Sequence, residues 1–212
     1  MQRQLELIYE IDVAHNVDDY LITDASLAAR MDRSENSRTV KEKLLVSEGE
    51  DYLELTLYID ASVMAHLADD NPLVKLHQGN MADFCLAVEG VSHFLYVAWN
   101  AYFDKQLTVM ELEMQAEVDK YVTSLSLLMQ RHHRCLLSPR LRRFLFANPT
   151  FDAELKGNAL LCYQDANRFA GRYCELLEQQ FIRHNKDDSL LSELRRFYRL
   201  PESEKIRRIG YA

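Results

Sequence analysis

The sequence is poor in the residues from which phosphate-binding backbone loops are built. It has only 6 glycines in 212 residues, and it contains neither a P-loop nor a G-x-G-x-x-G fingerprint. The G-x-S-x-G and His-Glu-x-x-His motifs of serine hydrolases and zinc proteases are also missing. These absences argue against the motif-based nucleotide-binding and hydrolase classes. They leave open a site assembled from side chains that are scattered along the chain.

Secretion signals are lacking as well. The four cysteines form no C-x-x-C pair and show no spacing typical of a secreted disulfide framework. The N-terminal residues do not include the apolar run and small-residue cleavage site of a signal peptide. We therefore expect free thiols and a cytoplasmic protein.

Charged residues are present in ordinary number but are divided unevenly along the chain. Residues 1–130 hold 23 acidic and 9 basic residues, whereas residues 131–212 hold 10 acidic and 16 basic residues. The net charge of −8 thus combines an acidic first part with a basic second part. Opposite charges of this kind can meet within the fold, between subunits, or on an anionic partner.

A long apolar helix is predicted over residues 81–103, with Asn80 as its cap and Gly90 as its one glycine. Most of its surface is apolar, which is typical of a helix buried in a protein core. Its length also suits a membrane span, but the number of ionisable groups argues against one, and we expect no membrane association. Helical spacing aligns four polar residues on one stripe: Glu89, His93, Tyr96 and Asn100.

A second long helix is predicted to start at Thr108-Val109-Met110-Glu111, which matches the S/T-x-x-E capping box. The link over residues 104–107 is short, so the two helices should be antiparallel neighbours. The second helix carries a polar wedge between two apolar arcs: Glu113, Glu117, Lys120 and Ser124. Antiparallel packing then predicts three facing pairs, namely Glu89 with Lys120, His93 with Glu117 or Ala116, and Tyr96 with Glu113.

The facing polar groups have more than one interpretation. Glu89 and His93, like Glu113 and Glu117, lie one turn apart, so these four side chains can ligate iron, manganese or zinc inside a bundle. The match to di-iron bundles is incomplete, because those proteins use two Glu-x-x-His pairs on four helices. A buried carboxylate can also act as a general acid or base without metal. Alternatively, the groups form a structural network that fixes helix register. The other members of this buried polar network are Tyr96, Asn100 and Lys120.

The remaining elements indicate an α+β fold that is predominantly α. Residues 40–60 predict a β-hairpin, because residues 52–59 alternate strictly between apolar and polar. A hairpin is marginal alone, so it should pack on helices or gain a third strand from the first 25 residues. The further predicted helices cover 61–68, 158–183, 189–198 and 201–209. We therefore expect an N-terminal segment, 1–72, that does not fold independently and a helical bundle, 73–212, closed by short C-terminal helices.

The segment 131–143 is strongly basic and contains no acidic residue. Within it, Ser138-Pro139 is typical of a helix start. The segment either binds phosphate or nucleic acid or balances the acidic part of the fold, and no RNA-binding signature accompanies it. Its candidate anion-binding residues are Arg131, Arg134, Arg140, Arg142 and Arg143.

Three functions follow from these observations. Because no catalytic motif is present, the leading expectation is a cytoplasmic helical module that acts through protein contacts, by self-association or as an adaptor. A metal-binding or acid–base enzyme with a carboxylate and histidine site is the alternative. The third hypothesis is a binder of phosphate or nucleic acid through residues 131–143.

Overall fold

The structure, a computed structural model, describes residues 1–33, 40–49, 52–129 and 134–210. Helices predominate over a small sheet, so the fold is α+β and mainly α, as the sequence predicts. The strands are β1 Leu21–Ile22, β2 Glu42–Glu48 and β3 Leu53–Ile59. Short 3₁₀ turns cover Val17–Tyr20 and Ile182–His184. The α-helices are α1 Gln2–Tyr9, α2 Ala25–Met31, α3 Ala61–Asp69, α4 Met81–Ala101, α5 Val109–Met129, α6 Arg134–Phe146, α7 Gly157–Gln180, α8 Asp187–Arg199 and α9 Glu202–Gly210.

The predicted hairpin is present, and a third strand from the N-terminal residues joins it. β2 pairs with β3 antiparallel, and β1 lies on the other side of β3 in parallel. Alternation along β3 directs Leu57 and Ile59 to one face, where both are buried. Glu42 is opposite Ile59 in the ladder, so its side chain emerges on that same apolar face.

Helix α4 lies on this face of the sheet at close range. A Cβ built at Gly90 would be 2.8 Å from Cδ1 of Leu57 and 3.0 Å from Cγ of Glu42, so the approach requires glycine. By length and composition α4 could cross a membrane, with a mean hydropathy of 1.3, but 61% of that stretch is buried inside the protein. A core helix passes the same test, and α4 is the buried helix that its sequence predicts.

Helix α5 packs between α4 and α7, and α6 packs on both α5 and α7. The contacts between α4 and α5 run in opposite directions along the two helices. Glu89 meets Lys120 at the end distant from the connecting residues, whereas Tyr96 meets Glu111 close to them. The pair is antiparallel, as predicted. The ends of the chain close the bundle, since α1 contacts α8 and α9 contacts α7.

Asn80 precedes α4, but its side chain does not cap the helix as predicted. Its Oδ1 accepts the backbone N–H of His77 at 2.9 Å, and its Nδ2 donates to the carbonyls of Asp70 and Lys75. The side chain is therefore occupied by the preceding loop, which it holds against the helix. The loop and the helix cap would both use the side-chain amide of Asn80, and in the structure this amide bonds to the loop.

Two other helix starts also differ from prediction. Half of the capping box forms, because Thr108 accepts the N–H of Glu111 at 3.0 Å while the Glu111 carboxylate turns into the core. Helix α6 begins at Arg134, so Pro139 lies inside the helix and not in its first turn. Ser138 and Leu141 are buried together, which indicates that packing of this face overrides the local start signal.

Candidate metal centre

One cleft of about 500 Å³ is lined by nine ionisable side chains, and five of them, from three elements, form a cluster. Glu89 and His93 lie one turn apart on α4, and Glu113 and Glu117 lie one turn apart on α5. Strand β2 adds Glu42, and residues 150–155 form the wall opposite. The four predicted metal ligands therefore line the same cleft, with Glu42 as an unpredicted fifth member.

His93 is at the centre of this cluster. Ligand atoms of Glu89, His93 and Glu113 all lie within 4.8 Å of one another. The His93 ring directs Nε2 towards Oε2 of Glu113, 3.7 Å away, and Nδ1 towards Oε1 of Glu42, 3.4 Å away. Nε2 of His93 and Oε1 of Glu42 are both buried and have no hydrogen-bond partner. The ring therefore lies between carboxylates, with a long contact from Nδ1 to Glu42 and no hydrogen bond at Nε2.

Lys120 occupies the other side of the cluster. Its Nζ is 2.7 Å from Oε2 of Glu89, as the predicted register requires, and 2.9 Å from Oε1 of Glu117. Glu117 therefore pairs with Lys120, and the predicted pairing of His93 with Glu117 is wrong. The ammonium group orients the Glu89 carboxylate, as outer groups orient the ligands of metal sites.

Burial and charge shift the pKa values of the cluster in opposite directions. Burial alone would lower the pKa of His93, but attraction by Glu113, Glu42 and Glu89 raises it to about 9. Burial raises the pKa of Glu113 to about 7, against the attraction of His93, and it raises that of Glu42 as well. Burial acts in the same sense on Glu89, but Lys120 outweighs it and lowers that pKa. A carboxyl near pKa 7 has the proton affinity that suits a general acid or base.

Tyr96 and Asn100 were predicted to share one buried network with Lys120, but they lie in a different one. Tyr96 donates to Oε1 of Glu111 at 2.6 Å, so its predicted pairing with Glu113 is wrong. Asn100 donates from Nδ2 to the backbone carbonyl of Tyr96 at 2.7 Å. Long side chains extend along the helix axis. Residues at the same level on two antiparallel helices are therefore not always partners, and the observed partner can lie one turn away.

This second network is centred on Lys205 of α9, which is completely buried. Its Nζ donates to Oη of Tyr96 and to Oε1 of Gln115, both at 2.9 Å. Gln115 in turn donates to Asp119 at 2.9 Å, and Ser92 donates to Asp119 at 2.6 Å. No sequence signal pointed to Lys205, because a lysine on a short basic helix is normally solvated.

The sequence did contain a signal that Glu42 is a site residue. The apolar face of the hairpin comprises residues 53, 55, 57 and 59, and the observed register puts Glu42 opposite Ile59. A charged residue on the buried face of a strand needs a partner or a function. The hairpin register, once assigned, would have identified Glu42.

The predicted anion-binding arginines do not form one surface. Arg142 and Arg143 line a cleft between α6 and α7, whereas Arg140 lines a different one beside Met81. Arg131 lies outside the described residues, and only the backbone of Arg134 is described.

The cleft that Glu42 and His93 line combines oxygen and nitrogen donors with apolar side chains. Sites that hold a metal ion beside a substrate have this composition. No family model matches the chain, and neither a curated protein nor a solved structure matches it significantly. The chemistry of this cleft is therefore the main guide to function.

Proposed function

We propose that this protein is a metal-dependent enzyme that binds one divalent ion through Glu89, His93 and Glu113, with Glu42 beside Nδ1 of His93 as the group that orients the ring. One observation carries the proposal. Nε2 of His93 and Oε1 of Glu42 are buried without hydrogen-bond partners, within a cluster of carboxylates. Buried polar atoms in folded proteins are nearly always paired, and an unpaired one costs about 1–3 kcal/mol. A metal ion at Nε2, together with Glu89 and Glu113, would satisfy that nitrogen, while Oε1 of Glu42, 3.4 Å from Nδ1, would accept the other N–H of the ring.

The donor set favours manganese or iron over zinc. Carboxylates suit Mn²⁺ and an imidazole suits Fe²⁺ and Zn²⁺, so a site with one histidine among several glutamates fits the harder ions best. Lys120 already occupies the position between Glu89 and Glu117, which leaves space for one ion and not for two. With a pKa of about 9, the His93 ring holds a proton at neutral pH, and a metal ion at Nε2 would displace that proton.

A bound ion of this kind would act as a Lewis acid on a carbonyl or phosphoryl oxygen, or would activate water. The chain's own residues contribute the remaining chemistry. Lys120, which is itself paired with Glu117, holds the Glu89 carboxylate in place. The cleft of about 500 Å³ has the size of a small-molecule site.

The test is metal analysis of the purified, untagged protein, followed by calorimetric titration of the metal-free form with Mn²⁺, Fe²⁺ and Zn²⁺. We expect close to one ion per chain. His93→Gln and Glu113→Gln should weaken binding by about tenfold or more. Glu54→Gln, which removes an exposed carboxylate on β3, serves as the matched control and should bind as the wild type does.

The competing explanation is a metal-free structural network. It requires the wild type to bind none of the three ions, even after supplementation during expression. It also requires His93→Ala and Glu117→Gln to act only by lowering the free energy of unfolding. That pair of results would overturn the proposal.

Self-association is a second candidate function, with another copy of the chain as the partner. Val46, Tyr52 and Val109 are 46%, 60% and 56% exposed, and they line one surface cleft of about 780 Å³. Apolar surface of this kind is typical of interaction sites, and the opposite charges of the two parts of the chain would favour association of copies. Light scattering should find a dimer that Val109→Glu dissociates, whereas Leu161→Glu, also at an exposed apolar position, does not. A wild type that stays monomeric at micromolar concentration would contradict this candidate.

A further inference from the structure

A second cleft, of about 490 Å³, lies between α6 and α7 and is lined by four arginines. Arg142 and Arg143 come from α6, and Arg168 and Arg172 come from α7, one turn apart. Gly171 allows the two helices to approach, because a Cβ there would be 3.2 Å from Cβ of Phe146. Guanidinium groups from both helices therefore share one concavity.

Only some of these charges are neutralised by protein groups. Arg142 pairs with two carboxylates, since its Nε is 3.0 Å from Oε2 of the fully buried Glu178 and its Nη2 is 3.4 Å from Oε1 of Glu175, which also lines the cleft. Arg168 pairs with Asp165 at 2.7 Å. Arg143 and Arg172 have no acidic partner in the described ranges 1–33, 40–49, 52–129 and 134–210. Two uncompensated guanidinium groups at one cleft attract an anion.

A third observation points to a ligand independently of charge. Asn167 lines the same cleft and is only 5% exposed. Within the part of the chain that the structure describes, no group hydrogen-bonds its side-chain amide. Its Nδ2 can donate two hydrogen bonds to a bound oxygen in the cleft. The amide is therefore placed to complete an anion site.

We propose that this cleft binds a small molecule that carries a phosphate group, with Arg143 and Arg172 on the phosphate oxygens and Asn167 as an added donor. Arginine matches phosphate because its planar guanidinium donates two parallel hydrogen bonds. The walls at Phe146 and Phe151 offer apolar surface to the rest of the ligand. The site does not depend on the proposed metal centre, although Phe151 also lines the metal cleft.

The geometry favours a small molecule over nucleic acid. Nucleic-acid binding uses a basic stripe that follows the phosphate backbone across a surface. Here Arg140 lies in a different cleft from Arg142 and Arg143, although all three belong to the same basic segment. The unpaired charge is concentrated in one concavity and not spread along a face.

The test uses the full chain and two probes, inorganic phosphate and phenyl phosphate, in calorimetric titrations at low salt. Both should bind with one site per chain, and phenyl phosphate should bind more tightly because its ring contacts the aromatic walls. Arg143→Ala and Arg172→Ala, both at exposed positions, should each weaken binding by about tenfold. Arg207→Ala, which removes an exposed arginine of α9, is the matched control and should leave binding unchanged.

Asn167→Leu gives a readout that a purely structural role would not. We expect it to weaken phenyl phosphate binding by about tenfold while it leaves the melting temperature of the free protein close to that of the wild type, because no group in the described part of the chain hydrogen-bonds the amide. If Asn167 only supports the fold, the substitution will lower the melting temperature and spare binding. That result would remove Asn167 from the site.

Four outcomes would overturn the proposal as a whole. The first is that neither probe binds saturably, and the second is that Arg207→Ala weakens binding as much as Arg143→Ala does, which indicates non-specific attraction. The third is that a single-stranded oligonucleotide binds, that its affinity increases with its length, and that phenyl phosphate does not displace it. That result would assign the surface to nucleic acid. Glu113→Gln separates the two clefts, since loss of phosphate binding in that variant would locate the anion at the metal centre instead.

Discussion

Lys205→Met is the substitution whose effect the structure predicts most specifically. Lys205 has no exposed surface, and its Nζ lies 4.6 Å from the ring centre of Tyr96 and 5.0 Å from that of Phe197. Burial lowers its pKa from 10.5 to about 7, although the nearby carboxylates of Glu111 and Asp119 act to raise it. The folded protein therefore releases this proton far more readily than the unfolded chain does.

The sign and size of the effect follow from proton linkage. Between pH 7 and 10.5 the unfolded chain holds a proton on Lys205 that the folded protein has lost, so the free energy of unfolding rises with pH in that window. The slope is about 1.36 kcal/mol per pH unit. From pH 8.0 to 9.5 this single group should add about 2 kcal/mol to the stability of the wild type. Lys205→Met lacks the contribution entirely.

The assay is urea denaturation at pH 8.0 and 9.5 under reducing conditions, followed by fluorescence of the single tryptophan, Trp99. That ring lies 5.5 Å from Tyr198, inside the region that unfolding disrupts. Other titrating groups, including His93, cancel when the wild type and the variant are compared at each pH. Lys156→Met removes an exposed lysine and should show the pH profile of the wild type.

The prediction concerns the difference between the two profiles. The stability of the wild type relative to Lys205→Met should increase by about 2 kcal/mol between the two pH values. Parallel profiles for the two proteins would refute the reasoning. They would mean that Lys205 titrates as an ordinary lysine and that the buried network around it does not form.

Two further substitutions test how the clefts are built. Gly90→Ala places a methyl group where the sheet already packs on α4, so we expect a loss of about 1–3 kcal/mol and weaker metal binding. Gly210→Ala is its control, because a Cβ there meets no atom within 4 Å, and it should be neutral or stabilising in the same urea titration. Arg142→Leu leaves the buried Glu178 carboxylate without its cation and should cost about 3–5 kcal/mol. Much of that loss should be recovered when Glu178→Leu is added, and no recovery would show that the ion pair is not the cause.

The sequence predicts those features of the candidate centre that are local. Helical periodicity puts Glu89 and His93 on one face, and Glu113 and Glu117 on another, because residues four apart are neighbours on any helix. The strict alternation of residues 52–59 likewise predicts the hairpin and its apolar face. Packing is needed only to bring these faces together.

Features that depend on distant parts of the chain could not be predicted in this way. Whether His93 faces Glu113 or Glu117 depends on the axial offset between α4 and α5. The S/T-x-x-E motif likewise does not determine which group the Glu111 carboxylate contacts. The first 32 residues show no clear helical or strand pattern, since α1 has 8 residues and β1 has 2, too few for a periodic pattern. Burial of Lys205 results from docking of α9 after the rest of the bundle is defined.

Helix α5 provides an internal comparison that bears on the metal proposal. It has two polar stripes. The residues of one stripe are two positions away from those of the other, so the stripes lie on opposite faces of the helix. One stripe is Glu111, Gln115 and Asp119, and no buried side-chain atom in it lacks a partner within the described residues. The other is Glu113 and Glu117, which meets the unpaired atoms of His93 and Glu42. Oδ1 of Asn100 and Oγ of Ser138 are also buried without partners among the described residues, so an unpaired atom alone does not indicate a ligand. The atoms at the second stripe differ because they lie beside a cleft and among several carboxylates, and for this reason we assign the proposed metal ion to that stripe.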